Sequence, residues 1–93
     1  MSEPLSAEQL PALLEQGLRM VAERRRASPA ASIYPSIHNQ LEYLHGLVEA
    51  GERPTEEKRA SLTLGVYAAR EFEASDPDFA DVLFKVSYLA NRL

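Results

Sequence analysis

Asp76-Pro77-Asp78-Phe79-Ala80-Asp81-Val82-Leu83-Phe84-Lys85-Val86-Ser87-Tyr88-Leu89-Ala90, near the carboxyl end of a 93-residue sequence, decides the fold class. Phe79, Val82, Leu83, Val86, Leu89 and Ala90, continued by Leu93, recur at intervals of three and four. That spacing lays them on one wide apolar stripe of an α-helix. Pro77 suits the first helical position, where no backbone N–H is needed, and Ser75-Asp76 ahead of it offers a capping side chain. No segment alternates apolar and polar residues as a half-buried strand does.

The same logic extends toward the amino end. Thr55 followed by Glu56 and Glu57 reads as the cap and acidic first turn of a third helix running to about Ala74. A second helix begins near Pro35, turns Ile37, Leu41, Leu44 and Val48 inward, and stops at Gly51, with Glu52-Arg53-Pro54 as the next turn. Ser6-Ala7-Glu8-Gln9 has capping-box spacing, and Leu10, Leu13, Leu14, Leu18 and Val21 carry a first helix to about Ala27. Pro11 stands too far past Ser6 for an uninterrupted start, so a kink or a later beginning is expected. Ser28 to Ser32 separates the first two helices. Short connections make consecutive helices antiparallel, and the expected fold is all-α: a compact antiparallel bundle of four helices, one domain over residues 1–93. Gly17 and Gly65 fall on core faces, where they let helices approach closely.

Composition narrows the function. Hydrophobic residues make up 45% of the chain and there is no cysteine, which fits a folded protein without disulfides or thiolate metal sites. The formal charge of −4 argues against nucleic acid, whose phosphates need a basic face. Arg24, Arg25 and Arg26 are the only basic run and read as cations closing a helix end. Met1 to Pro11 shows no signal segment and no stretch is apolar enough to span a membrane, so a cytoplasmic protein is expected.

Helix wheels leave a few apolar side chains off the core stripes. Phe84 and Tyr88 lie one turn apart, opposite Val86 and Ala90. On the third helix Leu62, Val66 and Ala69 define one face, while Leu64 and Tyr67, extended by Ala60 and Ala68, lie nearly opposite. Tyr43 points away from Leu41 and Val48. A central helix touching neighbours all round would account for the third helix, but not for the aromatic pair. Carboxylates cluster at Glu71, Glu73, Asp76, Asp78 and Asp81. Cap chemistry explains Asp76 and Asp78; a basic partner surface would explain all five. The expected partner-binding residues are Phe84, Tyr88, Tyr67, Leu64, Tyr43, Glu71 and Asp81.

An enzyme finds little support. His38, Glu42, His45 and Glu49 form one stripe, and Glu42 with His45 has the Glu-x-x-His spacing of helical di-iron sites, but no second such motif exists. The stripe reads as a solvated boundary with contacts one turn apart. Nucleophile elbows and glycine-rich phosphate loops are absent. No cofactor and no metal are expected.

Leu62-Thr63-Leu64-Gly65, Glu71-Phe72 and Asp76-Pro77, within the stretch from Leu62 to Leu83, together with Asn39-Gln40-Leu41-Glu42-Tyr43-Leu44, carry a resemblance. The chain resembles the small all-helical immunity proteins that neutralise NAD(P)-hydrolysing toxin domains delivered by type VI secretion. The resemblance implies a non-enzymatic inhibitor that binds its cognate toxin in the cytosol and occludes the active site. The competing expectation is a helical adaptor that uses the same strip to form a homodimer.

Overall fold

The Ser6 N–H donates to Gln9 Oε1 at 2.8 Å, and the Gln9 N–H donates to the Ser6 carbonyl at 3.0 Å. This exchange closes one 3-10 turn, Ala7–Gln9, and helix α1 (Leu10–Ala27) starts behind it. The later start places Pro11 in the first turn, where its missing N–H leaves no helical bond unmade. Residues 5–93 are described by this computed structural model. Met1 to Pro4, part of the signal-free amino terminus expected above, lie outside the described residues.

Helix α2 spans Ile33–Ala50, beginning two residues before Pro35, which still falls in the first turn. Gly51 ends it in the left-handed region, at φ 69°. The Glu52 N–H reaches the Leu47 carbonyl at 2.8 Å and the Gly51 N–H reaches that of Val48 at 3.1 Å. Those paired bonds satisfy carbonyls that the helix end would otherwise orphan.

The third helix differs from expectation. Thr55 Oγ1 accepts the Lys58 N–H at 3.1 Å and caps α3 (Glu56–Ser61) as read, but α3 stops there. Leu62 is extended, with φ −72° and ψ 132°, and a new helix, α4 (Leu64–Tyr67), begins after Thr63. It continues through a π-helical turn, Ala68–Phe72, in which the Glu73 N–H donates to the Ala68 carbonyl at 2.9 Å. The break has a tertiary cause. Gln40 on α2 accepts the Thr63 N–H on Oε1 at 2.8 Å and donates from Nε2 to Thr63 Oγ1 at 2.9 Å. A side-chain amide thus supplies both partners at Thr63, where the chain leaves its helical path.

Helix α5 (Pro77–Ala90) follows, with Pro77 in its first turn. Helix α1 packs against both α2 and α5, and α4 packs on α5. The glycines sit at those crossings as expected. A Cβ on Gly17 would lie 3.2 Å from Leu41 Cδ1, and one on Gly65 would lie 2.9 Å from Ser87 Oγ. The described residues contain no strand, and the all-α bundle stands.

At one end of the bundle a single cluster draws on four helices. Phe79 meets the edge of Phe72 at a centroid distance of 5.0 Å, and Tyr34 stacks on Phe72 at 5.9 Å. The Arg24 guanidinium sits 4.7 Å from the Phe79 centroid. It donates from Nε to Asp76 Oδ2 at 2.6 Å and from Nη2 to Oδ1 at 3.0 Å. Arg24 was expected to close a helix end. It does donate to the Met20 carbonyl at 3.1 Å, but its main partner is 52 residues away. Asp76 takes the N-cap position of α5 without a side-chain cap bond, because its carboxylate is turned to Arg24.

The hydrogen bond from Arg24, reinforced by its charge, outweighs burial and holds the Asp76 carboxyl below the usual carboxylate range. A depressed carboxyl stabilises the fold above the unfolded value of about 3.9 and loses that contribution as pH falls through the folded value. Arg24→Ala is expected to lower stability at pH 7 by about 1–2 kcal/mol, reduced from a fully buried pair because these side chains remain 23% and 27% exposed. Urea titrations at pH 7 and pH 2.5 check it. The difference between wild type and Arg24→Ala should shrink at the lower pH, where protonation of Asp76 removes the ion pair, and a pH-independent difference would refute the pairing.

Candidate protein-binding site

The inward stripe of α5 is complete: Phe79, Val82, Leu83, Val86, Leu89 and Ala90 are all buried. With the core satisfied, Phe84 and Tyr88 project from the opposite side and remain 38% and 46% exposed. Together with Leu5, Lys85 and Ser87 they line an open groove of about 410 Å³. Leu5 and Lys85 also line an adjoining groove beside Ala12 and Leu13 of α1, so the concave surface runs across the seam between the amino-terminal turn and α5. Adjacent exposed aromatics beside a concave, mostly apolar surface have the composition of the centre of a contact face.

The charges around the groove are arranged. Lys85 Nζ pairs with Asp81 Oδ2 at 2.8 Å, one turn back on α5. The Arg92 guanidinium lies over the ring of Tyr88, 4.1 Å from its centroid. Glu71, Glu73 and Asp78 are exposed toward the other end of α5 and enter no ion pair among the described residues. Of the five carboxylates read as one acidic cluster, Asp76 and Asp81 therefore already have cations. The remaining three are free to act at long range.

Leu64 needs correction. It was expected to face outward, yet it is 1% exposed and belongs to the core with Ala68 and Phe72, while Val66, placed on the inner face, is 50% exposed. The wheel assumed one unbroken helix from Thr55 and chose the wrong one of its two apolar strips. Tyr67 is half-buried, and its hydroxyl donates to Ser36 Oγ at 3.3 Å. Tyr43 is half-buried in a separate pocket of about 200 Å³ that includes Asn39, Gln40 and Lys58, with the Lys58 ammonium 5.8 Å from its ring. Phe84, Tyr88 and Asp81 thus share one face, and Tyr43 belongs to another. Leu5 and Arg92 were not singled out from the sequence. Arg92 could have been found, since it stands one turn beyond Tyr88; Leu5, ahead of any helix, carries no such signal.

The stripe on α2 resolves into two local pairs. His38 Nε2 lies 3.3 Å from Glu42 Oε1, and His45 Nε2 lies 3.4 Å from Glu49 Oε1. Among the described residues no three His, Asp or Glu side chains gather as metal ligands do. Nor is any helix there long and apolar enough to cross a membrane.

The Tsi6 family model matches residues 9–92, all but the first eight residues and the last. The chain belongs to the Tsi6 family. This bears out the expected type VI secretion immunity family. Among solved structures the chain is similar to one described as Tse6 in complex with Tsi6, with a TM-score of 0.80 at 24% identity, covering 88% of this chain and 86% of that one. It is also similar to Tsi6 from Pseudomonas aeruginosa, with a TM-score of 0.78 at 24% identity, covering 89% and 85%. At that identity these two likenesses establish the fold. A search of curated proteins gives no match. Two of the stretches that carried the resemblance, Asn39 to Leu44 and Leu62 to Gly65, meet in space through Gln40 and Thr63.

Proposed function

We propose that this chain is an immunity protein that binds a cognate type VI secretion toxin in the cytoplasm and occludes its active site, without catalysis of its own. Membership of the Tsi6 family over residues 9–92 carries the proposal. The aromatic face of α5 supports it, because inhibition by occlusion needs a rigid, partly apolar surface that can be inserted into a cleft or laid across one. Phe84 and Tyr88 supply the apolar centre. Asp81, paired with Lys85, lies beside them, and Glu71, Tyr67 and Tyr43 would add contacts from other parts of the surface. The toxin acts on NAD(P) or another nucleotide, in line with the resemblance.

Co-expression in a susceptible host tests this. The toxin domain encoded beside this chain should arrest growth alone, with loss of cellular NAD(P), and this protein should restore both. A neighbouring product that is harmless alone, or growth arrest that this protein does not relieve, defeats the proposal. Rescue with NAD(P) levels never altered would keep the immunity role and reject the nucleotide assignment.

A further inference from the structure

We infer that the α5 face receives a partner segment pairing an apolar side chain with a carboxylate, the first against Phe84 and Tyr88, the second on Arg92. The inference rests on the immunity reading above and gives the chemistry that the toxin must present there.

Three observations lead to it. First, the Arg92 guanidinium lies over the Tyr88 ring, 4.1 Å from its centroid, a contact that engages the cation through its charge and uses none of its N–H donors in an ion pair. The planar fork of those donors matches a carboxylate, which it can hold through two parallel bonds. Second, Arg92 enters no ion pair among the described residues, while Lys85, the cation that lines the groove, is already held by Asp81 at 2.8 Å. Arg92, held against Tyr88 beside the groove, is therefore the nearby cation without a counter-charge. Third, the exposed carboxylates Glu71, Glu73 and Asp78 lie toward the far end of α5. Asp78 is about 20 Å from Arg92 along the helix axis, well beyond the screening length of about 8 Å at physiological salt. They do not reverse the local preference at Arg92.

Desolvation makes the carboxylate a requirement. An apolar group covering Tyr88 also strips water from the guanidinium lying over it. A cation dried without a counter-charge is strongly unfavourable, so an apolar segment that lacks an acid is selected against. This arginine thus adds specificity to a groove that would otherwise accept any hydrophobic side chain.

The test uses the full chain and, as probe, the purified toxin domain encoded beside it, with affinity measured by calorimetry at low and physiological salt. Arg92→Glu should weaken binding by about 30-fold, Arg92→Ala by less, and Arg92→Lys should recover only part, because an ammonium lacks the planar fork. The alanine variant should also flatten the salt dependence. Unchanged circular dichroism melts keep these comparisons free of folding effects. Arg92→Glu binding as tightly as wild type, while Phe84→Ala or Tyr88→Ala binds more weakly, would overturn the carboxylate and leave the face intact. If none of these substitutions changes the affinity, the face is not where the toxin docks and the inference falls, while growth rescue would still uphold the immunity role. A toxin domain that does not bind the wild-type chain removes both readings.

Discussion

Phe84→Ala and Tyr88→Ala, made together, are expected to weaken toxin binding by about 3 kcal/mol or more, at least 100-fold in Kd, and to leave the fold intact. The two halves of this expectation have different causes. Both rings stand off a core stripe that closes without them, so truncation opens no cavity, and surface changes of this kind usually alter stability by less than about 0.5 kcal/mol each. At a binding face the same rings would be covered completely, and buried aromatics are the residues most often found to dominate an interface. Removing Tyr88 also takes away the platform on which Arg92 rests. Calorimetric titration with the toxin domain, beside a thermal melt followed by circular dichroism, separates the halves. Full affinity in the double variant would exclude this face. A collapsed melt would instead show that the pair holds the monomer together.

Phe79→Ala should have the largest effect on stability, about 3–5 kcal/mol. A 93-residue domain is typically stable by only about 5–14 kcal/mol, so this one change removes a large share. The expected fall in Tm is about 15 °C or more. Phe79 is fully buried, and its ring is where helices α1, α2, α4 and α5 meet, through Arg24, Tyr34 and Phe72. Truncation leaves a void and removes the surface beneath a guanidinium at the same time, so the packing loss and the ion-pair loss are coupled. Phe79→Leu retains most of the volume and should lose less than half as much. Urea denaturation provides the measurement: the midpoint should drop with little change in slope. A loss below 1 kcal/mol would mean that the cluster does not join the helices as its geometry suggests.

The contrast between α5 and α4 shows where reading a sequence succeeds. On α5 the apolar residues fall on one stripe, and only one orientation buries them, so the exposure of Phe84 and Tyr88 followed directly from spacing. Residues 62–72 carry two apolar strips, one through Leu62, Val66 and Ala69 and the other through Leu64, Tyr67 and Ala68. Either could have faced inward. The choice depends on Gln40, 23 residues away, which holds Thr63 and interrupts the helix, and on Ser87, against which Gly65 packs. Arg24 and Asp76 show the same limit. Each had an adequate local explanation at a helix end, and nothing in their spacing revealed that they pair.

Local order was thus written into the chain: the Gln9 contact to Ser6, the Thr55 cap, the left-handed stop at Gly51 and the periodicity of α1, α2 and α5 all involve neighbours a turn or two apart. Such interactions are decided by backbone chemistry within a few residues. Assembly settled the rest: the break at Leu62-Thr63, the burial of Leu64 in place of Val66, the bridge from Arg24 to Asp76, and the meeting of Leu5 with Phe84 and Tyr88. Each of these joins residues distant along the chain, and contacts of that kind acquire their energy only when packing excludes water from both partners at once.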